Sequence, residues 1–199
     1  MSDREEQMAE AYAAIGRYTV EFEQLVHALR LWATFLLTGA GLKNQGMAQA
    51  IVNSRAMNVQ SLRALLQSFL AETEFYSKDR DPDAAKIIDH LFKLIGDRIE
   101  ERNKILHGTW YIGWGNEGTT DWSMMSGFKG NPRKTSGVHA DDLSTTPCEL
   151  LKSCEEVQRL TQLIHRMLAV TGMPSTNSGI AANFWFDGDQ LVGTRPPSD

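Results

Sequence analysis

Apolar residues return at alternating intervals of three and four along most of this chain. The first run is Ile15, Tyr18, Phe22, Leu25, Leu29, Trp32 and Leu36, the spacing that keeps one stripe of a helix facing its neighbours. Gly39 and Gly41 supply its stop. Val59, Leu62, Leu66 and Phe69 carry the pattern into a second helix, which reaches back towards Met47 through a weaker stretch around Asn53. The third helix opens at "DPDAAK", with Asp81 placed to cap and Pro82 at the first helical position. Its seam is Ile88, Phe92, Ile95, Ile99, Arg102 and Leu106, and Gly108 closes it. The fourth opens at "TTPCEL", where Thr146 and Glu149 have capping-box spacing around Pro147. Its seam is Leu150, Cys154, Val157, Thr161, Ile164 and Leu168, with Gly172 at the end. Four long amphipathic helices predict a mainly all-α fold, an antiparallel four-helix bundle.

The pattern changes at about residues 109–143. "TWYIGW", "NEGT" and "DWSMMSGF" read as two short strands around a turn, a β-hairpin inserted between the third and fourth helices. "KGNPRKTSG" then reads as a basic surface loop. Beyond Gly172, "MPSTNSG" is linker-like, "NFWFDGDQLV" is able to form a second small hairpin through Asp187-Gly188, and "TRPPSD" is expected to fray. The expected organisation is one helical domain over residues 1–172 with its insertion, and a tail over residues 173–199.

Composition narrows the classes. A chain of 199 residues, 42% hydrophobic and 23% charged, suffices for one core and is short for two. A net charge of −5 excludes coating nucleic acid by bulk electrostatics, so any such contact needs a local basic site. Cys148 and Cys154 fall on one helix, with Cα atoms roughly 9 Å apart, too far for a disulfide. No CxxC pair suggests zinc. Asp79, Asp81 and Asp83 alternate like the start of a calcium loop, but Ala84 and His90 stand where that loop needs glycine and glutamate. An acidic cluster suiting a helix N-terminus is the better reading. His27, His90 and His165 sit on helices without a matching partner. No metal or cofactor is implied. "MSDREEQMAE" lacks the apolar segment of a signal peptide, and the longest apolar stretch, residues 31–42, is too short to span a bilayer. A cytoplasmic protein without a membrane partner is expected.

The polar member of the third seam, in "RNKILHGTW", is the residue that needs explaining. In one reading Arg102 snorkels out to pair with a carboxylate such as Glu21 or Glu23, and His107 only caps the helix end. In the other, the seam opens into a polar pocket where Arg102 is an anion-binding group beside Asn103 and His107. The latter two share a helix face at i, i+4, with Arg102 round the cylinder towards the core.

A helical bundle with R-N-x-x-x-H closing its third long helix resembles the HEPN superfamily (higher eukaryotes and prokaryotes nucleotide-binding), over roughly residues 10–172. The acidic, aromatic "VEFEQLVHALR" of the first helix is loosely similar to first helices of such bundles. Many members are RNA-cutting toxins or phage-defence factors. The resemblance implies a metal-independent endoribonuclease with Arg102, Asn103 and His107 as its catalytic residues. A ribose 2′-hydroxyl attacks the adjacent phosphate, leaving a cyclic phosphate and a 5′-hydroxyl. His107 serves as base or acid, Arg102 binds the phosphate, and Asn103 orients one of them. One histidine does not readily serve as both acid and base in one step, so a homodimer pairing two such helix ends is expected. Toxin members also have an antitoxin protein as partner. In a subgroup the antitoxin modifies a tyrosine two residues after the histidine; here that position is Thr109, and Tyr111 lies further on.

Trp110, Trp114 and Trp122, with Tyr111, follow the motif. They are expected chiefly to pack one face of the hairpin onto the bundle; the functional alternative is an aromatic platform for RNA bases. Trp110, Tyr111 and Lys104 are the candidate substrate contacts, and Lys129, Arg133 and Lys134 are available to add local positive charge. Three classes of function stay open: an endoribonuclease, a non-catalytic HEPN-like dimeric module binding RNA or a nucleotide, and a helical interaction scaffold. The first two require Arg102 and His107 to be reachable together, the third an ion-paired or buried Arg102.

Overall fold

Local side-chain chemistry starts the helices where the sequence places them. Asp81 Oδ1 accepts the Ala84 N–H at 2.9 Å and opens the helix Pro82–His107. Thr146 and Glu149 form the reciprocal box, Thr146 N donating to Glu149 Oε2 at 2.9 Å and Glu149 N to Thr146 Oγ1 at 3.2 Å. The computed structural model describes residues 2–73, 76, 79, 81–115, 121–133, 137–172 and 179–193, with backbone only for 131–133 and 137–139.

The elements are, in order, α1 (Asp3–Gly39), α2 (Gln45–Val52), α3 (Val59–Ala71), α4 (Pro82–His107), β1 (Thr109–Tyr111), β2 (Met125–Arg133), β3 (Gly137–Thr145), α5 (Pro147–Gly172), α6 (Ile180–Asn183), β4 (Phe184–Asp187) and β5 (Gln190–Gly193). The fold is mainly helical with small antiparallel sheets. Among the described residues no helix is long and apolar enough to cross a membrane.

The second predicted helix is two. Asn44 caps α2 by accepting the Met47 N–H, and Asn58 caps α3 by accepting the Ser61 N–H. An asparagine that satisfies a free helical N–H starts a new helix and does not continue the old one. The seams also turn as they run. In α4 the buried residue of the last turn is Ile105, with Leu106 half-buried; in α5, Leu160 and Met167 are buried while Thr161 and Leu168 are half-buried.

The insertion is a three-stranded antiparallel sheet ordered β1-β2-β3 and not a hairpin followed by a loop. Thr109 pairs with Phe128 and Tyr111 with Ser126, while β2 continues against β3 from Met125↔Thr145 to Arg133↔Gly137. The stretch read as a basic loop is therefore mostly strand. Gly130 and Pro132 disguise it, yet Pro132 lies beyond the end of β1 and has a strand partner, Val138 of β3, on one side only. Gly127 lets β1 and β2 close up, because a Cβ there would run into the Thr109 carbonyl oxygen. The turn expected at 116–119 lies outside the described residues.

β4 and β5 form the second small hairpin. Its turn is Gly188-Asp189, one residue later than expected, closed by the Asp187↔Gln190 pair. Gly188 takes φ +58, as the first central position of a primed hairpin turn requires. The linker residues 173–178 and the tail 194–199 lie outside the described residues.

The chain divides into two compact units, residues 1–23 with 100–158, and residues 24–99 with 159–199. In the first, Tyr18 Oη donates to Glu101 Oε2 at 3.1 Å, Ser153 Oγ to Glu101 Oε1 at 2.7 Å, and Gln158 Nε2 to Glu21 Oε1 at 2.6 Å. These bonds join α1, α4 and α5 around the buried Tyr18, Phe22, Cys154 and Val157. In the second unit Trp32 is fully buried, stacks on Phe92 at 5.9 Å and donates its indole N–H to Thr171 Oγ1 at 3.0 Å.

Candidate active site

The last two turns of α4 bring the three motif side chains together. Arg102 Nη1 donates to Asn103 Oδ1 at 3.3 Å and meets His107 Nε2 at 3.3 Å. Arg102 and His107 are five residues apart on one helix, so their Cβ directions diverge; the long arginine stem reaches across the gap. A guanidinium only donates, so the contact is a hydrogen bond in the imidazole tautomer that leaves Nε2 without a proton.

Arg102 is half-buried and His107 exposed. The Arg102 guanidinium lies 5.8 Å from the centre of the buried Phe22 ring, a cation–π arrangement that fixes it from the α1 side. Its Nε is buried and has no hydrogen-bond acceptor among the described residues. No carboxylate there pairs with Arg102. Of the carboxylates considered, Glu21 accepts from Gln158 and Glu23 is exposed. Among the described residues the Arg102 guanidinium is therefore held by Phe22, Asn103 and His107 and has no ion-pair partner.

The neighbouring predicted contacts separate. Lys104 is exposed at the helix end. Trp110 is half-buried, with its indole N–H donated to the Ile105 carbonyl at 2.7 Å, so it locks the exit of α4. Tyr111 faces Trp114 at 5.2 Å and Phe128 at 6.1 Å. Packing describes Trp110 well but not Trp114, which is 76% exposed. Lys129 is half-buried in β2, opposite Asp141; the side chains of Arg133 and Lys134 lie outside the described residues. Sequence reasoning missed Phe22 as the support of Arg102, although it lies one helical turn from Tyr18 on the same seam.

The alternative sites resolve simply. Asp81 is spent as the α4 cap, Asp83 forms an exposed pair with Lys86 at 3.8 Å, and Asp79 is exposed. Among the described residues no three His, Cys, Asp or Glu side chains converge as a metal site. His90 packs edge-on against Phe186, and His27 and His165 are exposed.

Both cysteines are free, Cys148 exposed and Cys154 buried. Burial pushes the Cys154 thiol up, against the pull of Arg17 and with the added repulsion of Glu21 and Glu101. A raised thiol holds less thiolate at neutral pH and reacts slowly. In a native thiol titration Cys148 is therefore expected to label fast, and Cys154 only after unfolding in urea. Equal native rates for both would contradict this placement.

No model of a known protein family, no curated protein and no solved structure matches this chain. The site must be read from its own geometry.

Proposed function

We propose that the chain is a metal-independent endoribonuclease of the HEPN type, with a toxin or phage-defence role, acting as a cytoplasmic homodimer. In this reading its long helices form the antiparallel four-helix bundle of that superfamily. The observation that carries the proposal is the meeting of Arg102 and His107 at an exposed helix end, with no carboxylate on the arginine among the described residues.

A phosphate entering beside Arg102 offers the guanidinium far better acceptors than an imidazole nitrogen or an amide. As Arg102 turns to it, the lone pair of His107 Nε2 is released and faces the ribose. Nε2 then takes the 2′-hydroxyl proton while the oxygen attacks phosphorus. Arg102 stabilises the extra negative charge of the pentacoordinate phosphorus. Asn103, whose amide oxygen already contacts Arg102, keeps the fork oriented. The leaving 5′-oxygen needs a proton from a second acid, which the His107 of a second copy supplies.

Specific activity is accordingly expected to fall when the enzyme is diluted into its monomeric range, as followed by RNA cleavage beside sedimentation velocity. Full activity in a monomer contradicts the paired site. One observation favours the non-catalytic module instead: Nε2 is already occupied by Arg102. That reading gains if the folded dimer binds RNA and leaves it intact.

A further inference from the structure

The strongest unassigned feature is a groove of about 650 Å³ in the first unit, lined by Arg4, Tyr111, Gly113, Trp114 and Trp122 among others. Three of these are aromatic, and none is spent on a buried core. Trp114 is 76% exposed and touches only the Tyr111 ring among the described aromatic residues, at 5.2 Å and a tilt of 47°. Arg4 is held from two sides, with its guanidinium 4.7 Å from the centre of the Trp122 ring and Nη2 donating to the Gly113 carbonyl at 2.8 Å. Trp122 is itself anchored by its backbone N–H, which donates to Gln7 Oε1 at 2.6 Å. Asp121 braces the same turn, accepting from Ser123 N and Oγ; these bonds hold its carboxyl below the usual carboxylate range.

We infer that this groove binds an unpaired nucleobase of a single-stranded RNA, stacked on Trp114 and Tyr111 with its edge or its phosphate met by the free donors of Arg4. The inference rests on the ribonuclease reading, since Tyr111 is four residues beyond His107. An extended chain of that length spans at most about 14 Å, so a strand bound at His107 runs within reach of the groove. The chemistry fits bases better than a tracked phosphate backbone. Aromatic faces stack any base, while the first turn of α1 carries Asp3, Glu5 and Glu6 around Arg4. Those carboxylates repel a long run of phosphates and leave room for one. Counted with the phosphate on Arg102, the salt dependence is therefore shallow, with a slope of log K against log salt no steeper than about −1.4, the value for two phosphates on a single strand.

The test uses a labelled unstructured 12-mer RNA in EDTA, followed by fluorescence anisotropy with the full chain carrying His107→Ala to prevent cutting. Adding Trp114→Ala is expected to weaken binding about 5- to 100-fold, and Trp114→Phe to restore most of it. Trp114 is exposed, so its loss leaves folding intact, which circular dichroism verifies. Adenosine and uridine monophosphates compete if the groove takes a free nucleotide as well as a strand, and either source supports a nucleobase site. Unchanged affinity in Trp114→Ala, a salt slope steeper than that of two phosphates, or displacement by a proline-rich peptide but not by RNA overturns the inference. Cleavage by the unmutated chain separates the two claims. Binding that depends on Trp114 without cleavage sinks the ribonuclease and keeps the groove; cleavage with binding indifferent to Trp114 does the reverse.

Discussion

His107→Ala is expected to lower RNA cleavage by about 10²- to 10⁴-fold, the usual worth of a positioned acid or base, with almost no change in stability. The side chain is exposed and among the described residues its one hydrogen bond is to Arg102, and exposed substitutions of this kind usually shift stability by no more than about 0.5 kcal/mol. Arg102→Ala removes the charge proposed to bind phosphate, and a loss of about 10²- to 10³-fold is expected for one electrostatic group. Arg102→Lys is the sharper control. Lysine keeps the charge but loses the planar guanidinium, whose Nη1 meets both Asn103 and His107 and leaves Nη2 for a phosphate, so it is expected to recover only part of the rate. Single-turnover cleavage rates, measured beside urea midpoints, check all three. A rate loss that tracks a stability loss would show that the residues support the fold and do no chemistry.

The second large effect is on stability. Trp32→Ala is expected to cost about 3–5 kcal/mol, a large part of the roughly 5–15 kcal/mol that holds a domain folded. Trp32 is fully buried, stacks on Phe92, and its indole N–H is bonded to Thr171. Removing it opens a cavity and strips Thr171 Oγ1 of a donor, though that hydroxyl still donates to the Met167 carbonyl at 2.8 Å. Trp32→Phe keeps most of the apolar volume, so it is expected to cost roughly 1–3 kcal/mol, chiefly the lost hydrogen bond and the smaller ring. Urea unfolding of the two variants measures both. Equal costs would mean that the ring's volume contributes nothing beyond its polar handle.

What could be read from the sequence was local. The caps at Asp81 and Thr146 depend on residues three positions apart, and both appear as spaced letters in the chain. The Arg102–Asn103–His107 cluster lies within six consecutive positions of one helix, so its assembly follows from helical geometry and the length of an arginine stem. What escaped depends on distant pairing. β3 carries Ala140, Asp141 and Asp142, residues disfavoured in strands, and is a strand only because β2 pairs with it along its whole length. The groove needs Arg4 beside Gly113, a separation of 109 positions that no spacing in the sequence announces. Asn44 and Asn58 are an intermediate case. Each is a recognisable cap, but an apolar pattern read back from Val59 towards Met47 crosses Asn58 and suggests one helix where side-chain capping makes two.

The most direct test of the proposed catalytic site is to incubate the purified protein with structured and unstructured RNA in EDTA, identify the new ends, and run Arg102→Ala and His107→Ala in parallel. The account predicts 2′,3′-cyclic phosphate and 5′-hydroxyl ends from the unmutated chain and neither from the two variants. Intact RNA with folded, dimeric protein, or cleavage that persists in both variants, would contradict it.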